Sequence, residues 1–430
     1  MLSILFLLVG TILAAASANP IALLPSYANP TTAHGQPGRG TISLTQIRNK
    51  AFIRNGPLDL AKTYHKYNIP LPADLAAAVA RHRQPSRPKR SSDAHGSAET
   101  TPGPHDVEYL TTISIGTPPQ NLSINIDTGS SDLWVFSAET TSSEVKGQTV
   151  YDPSLSSTAA QLQGATWQIS YGDGSSSGGD VYLDRVALGG LTVAAQAVEC
   201  ARNVSGEFTA DGSSDGLMGL GFGVINMVKP VRQKTFFENL QAGLDEAVFT
   251  ADLKHGMPGR YNFGYVDSSA YTGDITYVPI NSTDGYWGWT SPGYAVGSGA
   301  FKDEAIVGIA DTGTTLLLLP SDIVADYYRQ VDGAKYERNQ GGYVFGCDVA
   351  LPDFAFGVGH TAGGSPAMIK IPGKYVNYAP VGGSSTKCYG GIQSNDFIGA
   401  SIFGDLALKA AFVVFDGGNM RIGWASKALP

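Results

Sequence analysis

The sequence predicts an all-β protein of two similar lobes with a cleft between them. Its 430 residues include 53 Gly and 24 Pro and are only 15% charged. Such a chain is long enough for more than one core and too rich in turn formers to be mainly helical. From Val107 onward, short alternating or apolar runs are broken by Gly, Pro, Asn and Asp, the spacing of strands and turns. One pattern also occurs twice. Ile124-Asn125-Ile126-Asp127-Thr128-Gly129-Ser130 and Val307-Gly308-Ile309-Ala310-Asp311-Thr312-Gly313-Thr314 each carry an apolar strand into Asp-Thr-Gly.

In chain order, residues 1–18 read as a secretory signal peptide: an apolar run over 2–15, then Ala16-Ser17-Ala18 as a small-residue cleavage site. The run is shorter than the ~18 residues a membrane span needs, and its start lacks Lys or Arg. The chain end has no apolar tail for a lipid anchor, so a secreted, extracellular protein without a membrane partner is expected. Residues 19–90 read as a propeptide. Helical pattern lies at 58–67 and 73–80, and the segment ends in the basic stretch 81–90. The small polar residues 91–103 look like an exposed linker. The processing boundary therefore falls at or shortly after Lys89-Arg90, up to about residue 103.

The body divides into lobes at 104–278 and 279–430. Strands are expected at 109–115, 122–126, 166–171, 181–188, 261–265 and 368–371, and helices at 235–244 and 321–331, the latter opening on Pro320-Ser321-Asp322. A second echo, Gly216-Leu217-Met218-Gly219-Leu220-Gly221 and Gly399-Ala400-Ser401-Ile402-Phe403-Gly404-Asp405, follows at matching depth in each half.

Charge is split unevenly. Residues 1–90 hold 11 Lys and Arg against 2 Asp and Glu, near +9, leaving 18 against 35 in the remainder, near −17. A polyanion of that size disfavours nucleic acid and anionic surfaces as partners, and it suits low pH, where carboxylates lose charge. Export permits a disulfide. Cys347 and Cys388 share a late Gly-rich region and would close a loop of 41 residues, worth ~4 kcal/mol in the chain-entropy model. Cys200, in the apolar stretch 193–200, reads as a buried core thiol.

Burying an Asp at the end of an apolar strand costs free energy unless hydrogen bonds meet it. Thr and Gly supply a hydroxyl, close backbone approach and amide donors. If the two loops meet, like charges a few ångströms apart resist joint ionisation, and one proton is held between the pair. Such a pair contains a base to activate a water and an acid to protonate a peptide carbonyl. No metal or cofactor is required. One Asp-Thr-Gly arises by chance in roughly one chain of this length in ten, so the paired occurrence with its downstream echo carries the inference.

With these motifs the sequence resembles the pepsin-like aspartic proteases, most closely the secreted fungal penicillopepsin and aspergillopepsin types. The resemblance covers nearly everything from Val107 to Ala428. It rests on Ile115-Gly116-Thr117-Pro118-Pro119-Gln120, residues 127–134, Ile169-Ser170-Tyr171-Gly172-Asp173-Gly174, residues 311–315 and Ile402-Phe403-Gly404-Asp405. It implies a bilobal acid protease fold and a secreted monomeric endopeptidase, made as a zymogen, that cuts proteins and peptides. Asp127 and Asp311 would be the catalytic pair, supported by Thr128, Gly129, Ser130, Thr312, Gly313 and Thr314. Tyr171, Gly172 and Asp173 would belong to a mobile flap over the substrate, with Trp134 as partner of the tyrosine. Lys66 and Tyr67 resemble the inhibitory pair of the zymogen, with the leader itself as an internal partner. Asn121, Asn203 and Asn281 open glycosylation sequons, Asn121 beside a predicted core strand.

Other signals carry less. Two Gly-x-Ser-x-Gly matches, at 174–178 and 212–216, lack the strand-to-helix setting of a serine nucleophile. The seven His show no metal-ligand spacing. A non-cutting binding protein on the same scaffold is the rival reading, and loss of either Asp would have favoured it.

Overall fold

The computed structural model describes residues 40–49, 54–83, 109–170, 176–205, 207–210, 212–360, 364–381 and 386–430. All fall within one compact unit, Gly38–Pro430. The expected signal peptide, the processing boundary and Tyr171, Gly172 and Asp173 lie outside the described residues.

Strand is the main regular structure of the body. An eight-stranded sheet runs, in spatial order, through Ile47–Arg48, Tyr109–Ile115, Gln120–Asp127, Gly216–Gly219, Leu133–Phe136, Leu191–Val204, Ser176–Leu188 and Ala160–Ser170. In Gln120–Asp127 the period of two is plain: Leu122, Ile124 and Ile126 are buried while Asn121 and Ser123 face outward. Each such buried side chain contributes about 1.5–3 kcal/mol. An acidic residue at Ile124 would break the strand's hold on the core.

A five-stranded sheet repeats the central motif in the second half. Gln120–Asp127 pairs in parallel with Gly216–Gly219, which pairs antiparallel with Leu133–Phe136. Likewise Ile306–Ala310 pairs in parallel with Ser401–Phe403, which pairs antiparallel with Leu317–Leu319. The two sequence echoes are thus the paired strands of one repeated unit, and both Asp residues leave equivalent strands. A six-stranded sheet joins Ile42–Thr45, Met257–Phe263, Val248–Lys254, Phe412–Asp416, Arg421–Ser426 and Thr272–Pro279. It draws on both halves of the body and on the leader.

The leader also supplies two helices. α1 (Gly56–Lys66) opens with Asn55, whose side chain accepts from the Leu58 amide, and with Pro57 in the first turn, a favourable start. α2 (Ala73–Arg83) follows. Leu60, Ala61, Tyr64, Leu75 and Val79 of these helices pack on Ile309, Leu316, Leu318 and Ile402 of the body. In the body, Phe236–Leu240 begins with a full capping box between Thr235 and Glu238. The helix expected at 321–331 spans Ser321–Tyr328. The strand expected at 261–265 stops at Phe263 because Gly264 turns the chain with φ +85°.

Cys347 and Cys388 are joined, and Cys200 is free and fully buried. Burial pushes its thiol well above the usual range. Asn121, expected beside a core strand, lies on that strand's outward face, and Asn203 and Asn281 are exposed as well.

Candidate active site

Each Asp-Thr-Gly loop folds the same way round its carboxylate. Asp127 Oδ1 accepts from the Gly129 amide at 2.8 Å and Oδ2 from the Ser130 hydroxyl at 2.6 Å. Asp311 Oδ1 accepts from the Gly313 amide at 2.8 Å and Oδ2 from the Thr314 hydroxyl at 2.5 Å. These charge-assisted bonds offset the burial of two acids that are almost wholly enclosed.

The loops are cross-linked by their threonines. Thr128 Oγ1 donates to the Ala310 carbonyl at 2.8 Å and accepts from the Thr312 amide at 3.0 Å. Reciprocally, Thr312 Oγ1 donates to the Ile126 carbonyl at 2.7 Å and accepts from the Thr128 amide at 3.1 Å. Four hydrogen bonds therefore fix the two carboxylates relative to one another. Gly129 and Gly313 permit the approach: a Cβ on Gly129 would lie 2.5 Å from Asp311 Oδ1, and one on Gly313 would lie 2.3 Å from Asp127 Oδ1.

A single ammonium sits between the acids. Lys66 Nζ, at the end of α1, donates to Asp127 Oδ1 at 2.7 Å and to Asp311 Oδ1 and Oδ2 at 2.8 and 2.9 Å. Tyr67 OH donates to Asp311 Oδ2 at 2.6 Å. Burial would strip the lysine of its proton, but the two carboxylates outweigh it and hold the ammonium charged. Burial, followed by the charge of Asp311, pushes the Tyr67 hydroxyl well above its ordinary value.

The two acids themselves are driven apart. Burial lifts Asp127 above the usual carboxylate range, Lys66 opposing it and Asp311 adding to it. For Asp311, burial is outweighed by Lys66 and by hydrogen bonds from Asp127, Lys66 and Thr314, which hold it down to about 2. One acid thus favours its proton and the other its charge.

The pair opens into a cleft of about 500 Å³. Trp134, Phe136, Ile169, Phe208 and Leu217 make one apolar wall, and Ile225, Met227 and Tyr286 line it elsewhere. Trp134 is buried against Phe136, Trp167 and Phe208, and its indole N–H has no partner among the described residues. Two features have no motif to announce them. Tyr286 meets the Tyr67 ring edge-on at 5.7 Å, yet it is one of 20 Tyr in the chain. Asp59 of α1 is buried and accepts from Tyr378 OH at 2.7 Å, and Arg54 lies over the Tyr378 ring at 4.5 Å. Asp59 reads in sequence only as a first-turn helix acid.

Two carboxylates from equivalent loops, one biased to keep its proton and the other to lose it, at the floor of a long cleft, define an acid–base hydrolytic site. The family model for eukaryotic aspartyl proteases matches residues 108–427. The chain is 55% identical over 400 residues to endothiapepsin of Cryphonectria parasitica, covering 93% of each chain. It is 49% identical to aspergillopepsin-1 of Aspergillus oryzae, over 88% of this chain and 90% of the relative. With penicillopepsin-3 of Penicillium janthinellum it shares 48%, over 91% and 93%. The chain belongs to the eukaryotic aspartyl protease family, among its pepsin-like fungal members, and is an aspartic-type endopeptidase.

Proposed function

We propose that the protein is the precursor of a secreted, acid-active endopeptidase whose catalytic pair is Asp127 and Asp311. The observation that carries this reading is the one ammonium, Lys66, hydrogen-bonded to both carboxylates at the floor of the cleft. It occupies the position between the acids that an attacking water must take. In the processed enzyme the ionised carboxylate draws a proton from that water, whose oxygen attacks the peptide carbonyl. The protonated carboxyl gives its proton to the carbonyl oxygen; the carboxyl that took the water's proton passes it to the nitrogen as the C–N bond breaks, while a hydroxyl of the tetrahedral intermediate returns a proton to the other carboxyl. Thr128 and Thr312 keep the geometry, and the amides of Gly129 and Gly313 with the hydroxyls of Ser130 and Thr314 hold the carboxylates in place. The apolar wall of Trp134, Phe136, Phe208 and Leu217 suits bulky apolar substrate side chains. By the family resemblance, Tyr171, Gly172 and Asp173 are proposed as further substrate-binding residues.

Residues 1–18 direct export, and residues 19–90, extending to about 103, are the leader removed on maturation, leaving lobes at 104–278 and 279–430. Asn121, Asn203 and Asn281 are the candidate glycan sites. The leader is held at neutral pH and released by acid. Asp311, held down to about 2, contributes stability that is present above its ordinary value near 4 and falls progressively from there through 2, so that part of it is already gone at pH ~3. Asp127 and Asp59, both raised with burial as the first cause, have the opposite sign and do not drive release.

Peptide digestion at pH ~3–5 by wild type and Asp311→Asn tests this, with mass spectrometry of the fragments and of the enzyme's first residue. Wild type should process itself and cut next to apolar residues, and the variant should do neither. A variant that digests at the wild-type rate would remove Asp311 from the mechanism.

A further inference from the structure

A second carboxyl pair lies at the cleft wall, where Asp132 is among the lining residues, and takes no part in the chemistry above. Asp132 follows the first Asp-Thr-Gly loop, and Glu199 comes from Leu191–Val204, where it stands opposite Trp134. Asp132 is 3% exposed and Glu199 not at all. Asn226 Nδ2 ties them together, donating to Asp132 Oδ1 at 2.8 Å, to Glu199 Oε1 at 2.9 Å and to the Ser131 carbonyl at 3.2 Å. The Met227 amide donates to Asp132 Oδ1 at 2.7 Å.

Glu199 Oε2 is the informative atom. It is buried, and no donor reaches it among the described residues. A carboxylate oxygen only accepts, so in this setting a charged Glu199 would be costly. A proton held between the two groups turns one into a donor for the other and removes one charge.

Among the described residues no cation answers the pair. The segment carrying Asn226 also bears Lys229, Arg232 and Lys234, all exposed to solvent. Glu238, on the helix that follows, is engaged by the amides of Gly223 and Thr235. Asp127 faces Asp132 and adds to the repulsion. In the leader, Lys66 is bound to the catalytic pair and Lys62 acts on Asp59 of its own helix. Neighbouring strands place Trp134 and Val181 beside Glu199.

We propose that Asp132 and Glu199 are positioning residues that share one proton and, through Asn226 and Met227, hold the 223–233 wall of the cleft in place, so that loss of this proton sets the upper pH limit of the working site. Ile225 and Met227 of that wall line the cleft, and Ser131, held by the same Asn226, adjoins the catalytic loop. The electrostatics agree. Burial lifts Asp132 to about 6 against the pull of the Met227 amide, and burial followed by Asp132 raises Glu199 well beyond the usual range. A raised folded-state value means stability that is fully present below pH ~4 and is lost as pH rises through 6 and above.

The test compares wild type with Glu199→Gln, whose amide can donate to Asp132 while its carbonyl accepts from Asn226. Unfolding temperature is followed from pH 4.5 to 8 in full chains carrying Asp311→Asn, and kcat/KM is followed over the same range for the processed enzymes. Wild type should lose stability, and KM should rise, as pH climbs past 6; Glu199→Gln should move both midpoints up by about one unit or more. Identical midpoints would overturn the proposal. Should Glu199→Gln fail to fold, Asp132→Asn is read in the same way, and failure of both at every pH would equally overturn it. The link to the working cleft rests on the catalytic reading above, whereas the unfolding measurement needs no catalysis and separates the two.

Discussion

At the scale of single residues, the site depends on the absence of side chains as much as on their presence. Asp127 and Asp311 approach one ammonium only because positions 129 and 313 carry no Cβ. Gly129→Ala should therefore cost more than a surface glycine change: the added methyl meets the opposite carboxylate, and misplacement of this order lowers rates by about 10²-fold. The check is kcat/KM of the processed variant, with the unfolding temperature of the precursor expected to fall alongside. The two Asp-Thr-Gly loops and the hydrogen bonds round their carboxylates were legible in the sequence because the motif is repeated and each of its letters has a local duty. Tyr286 and the Asp132–Glu199 pair were not, since their meaning comes from partners far along the chain. Glu199 in particular reads only as the one acidic residue of its strand until Asn226 is seen to bridge it to Asp132.

At the scale of elements, helix starts and strand ends were the better located: the strands expected at 166–171 and 181–188 begin earlier, at Ala160 and Ser176, but end at Ser170 and Leu188. Tyr109–Ile115 coincides with its expected bounds, and the capping box at Thr235 marks its helix. That helix is shorter than its apolar pattern because the last residues tighten into the 3₁₀ turn Gln241–Gly243. α1 was visible from its periodicity, but what it covers was not. Tyr64 is buried in the body and donates to the Asp396 carbonyl at 2.7 Å, so helix and body share one small core. Tyr64→Ala should weaken leader docking by about 3–5 kcal/mol, as for other large-to-small core changes. Limited proteolysis of the precursor at neutral pH, scored by cleavage within α1, would register it. Cleavage no faster than in wild type would mean that Tyr64 does not help to hold the leader.

At the scale of the whole molecule, the repeated unit of crossed strands was foreshadowed by the two echoes, whereas the six-stranded sheet was not. No local pattern says that Val248–Lys254 will lie beside Phe412–Asp416; only the closing of distant chain segments decides it. The same distance hides the seat of the leader's strands. Ile42–Thr45 lines the flank of Met257–Phe263, and Ile47–Arg48 lines that of Tyr109–Ile115.

In the proposed processing, those two short strands would make maturation directional. While attached, they satisfy main-chain groups at the rims of two separate sheets; once cut away, each rim loses its template. The long-range pairings that build the body are the slow ones to form, and the leader supplies ready-made neighbours for them. Denatured precursor should therefore regain its native fluorescence and compactness on dilution at neutral pH, and denatured processed enzyme should recover less of both. Equal recovery from the two would show that the body finds its architecture without a guide.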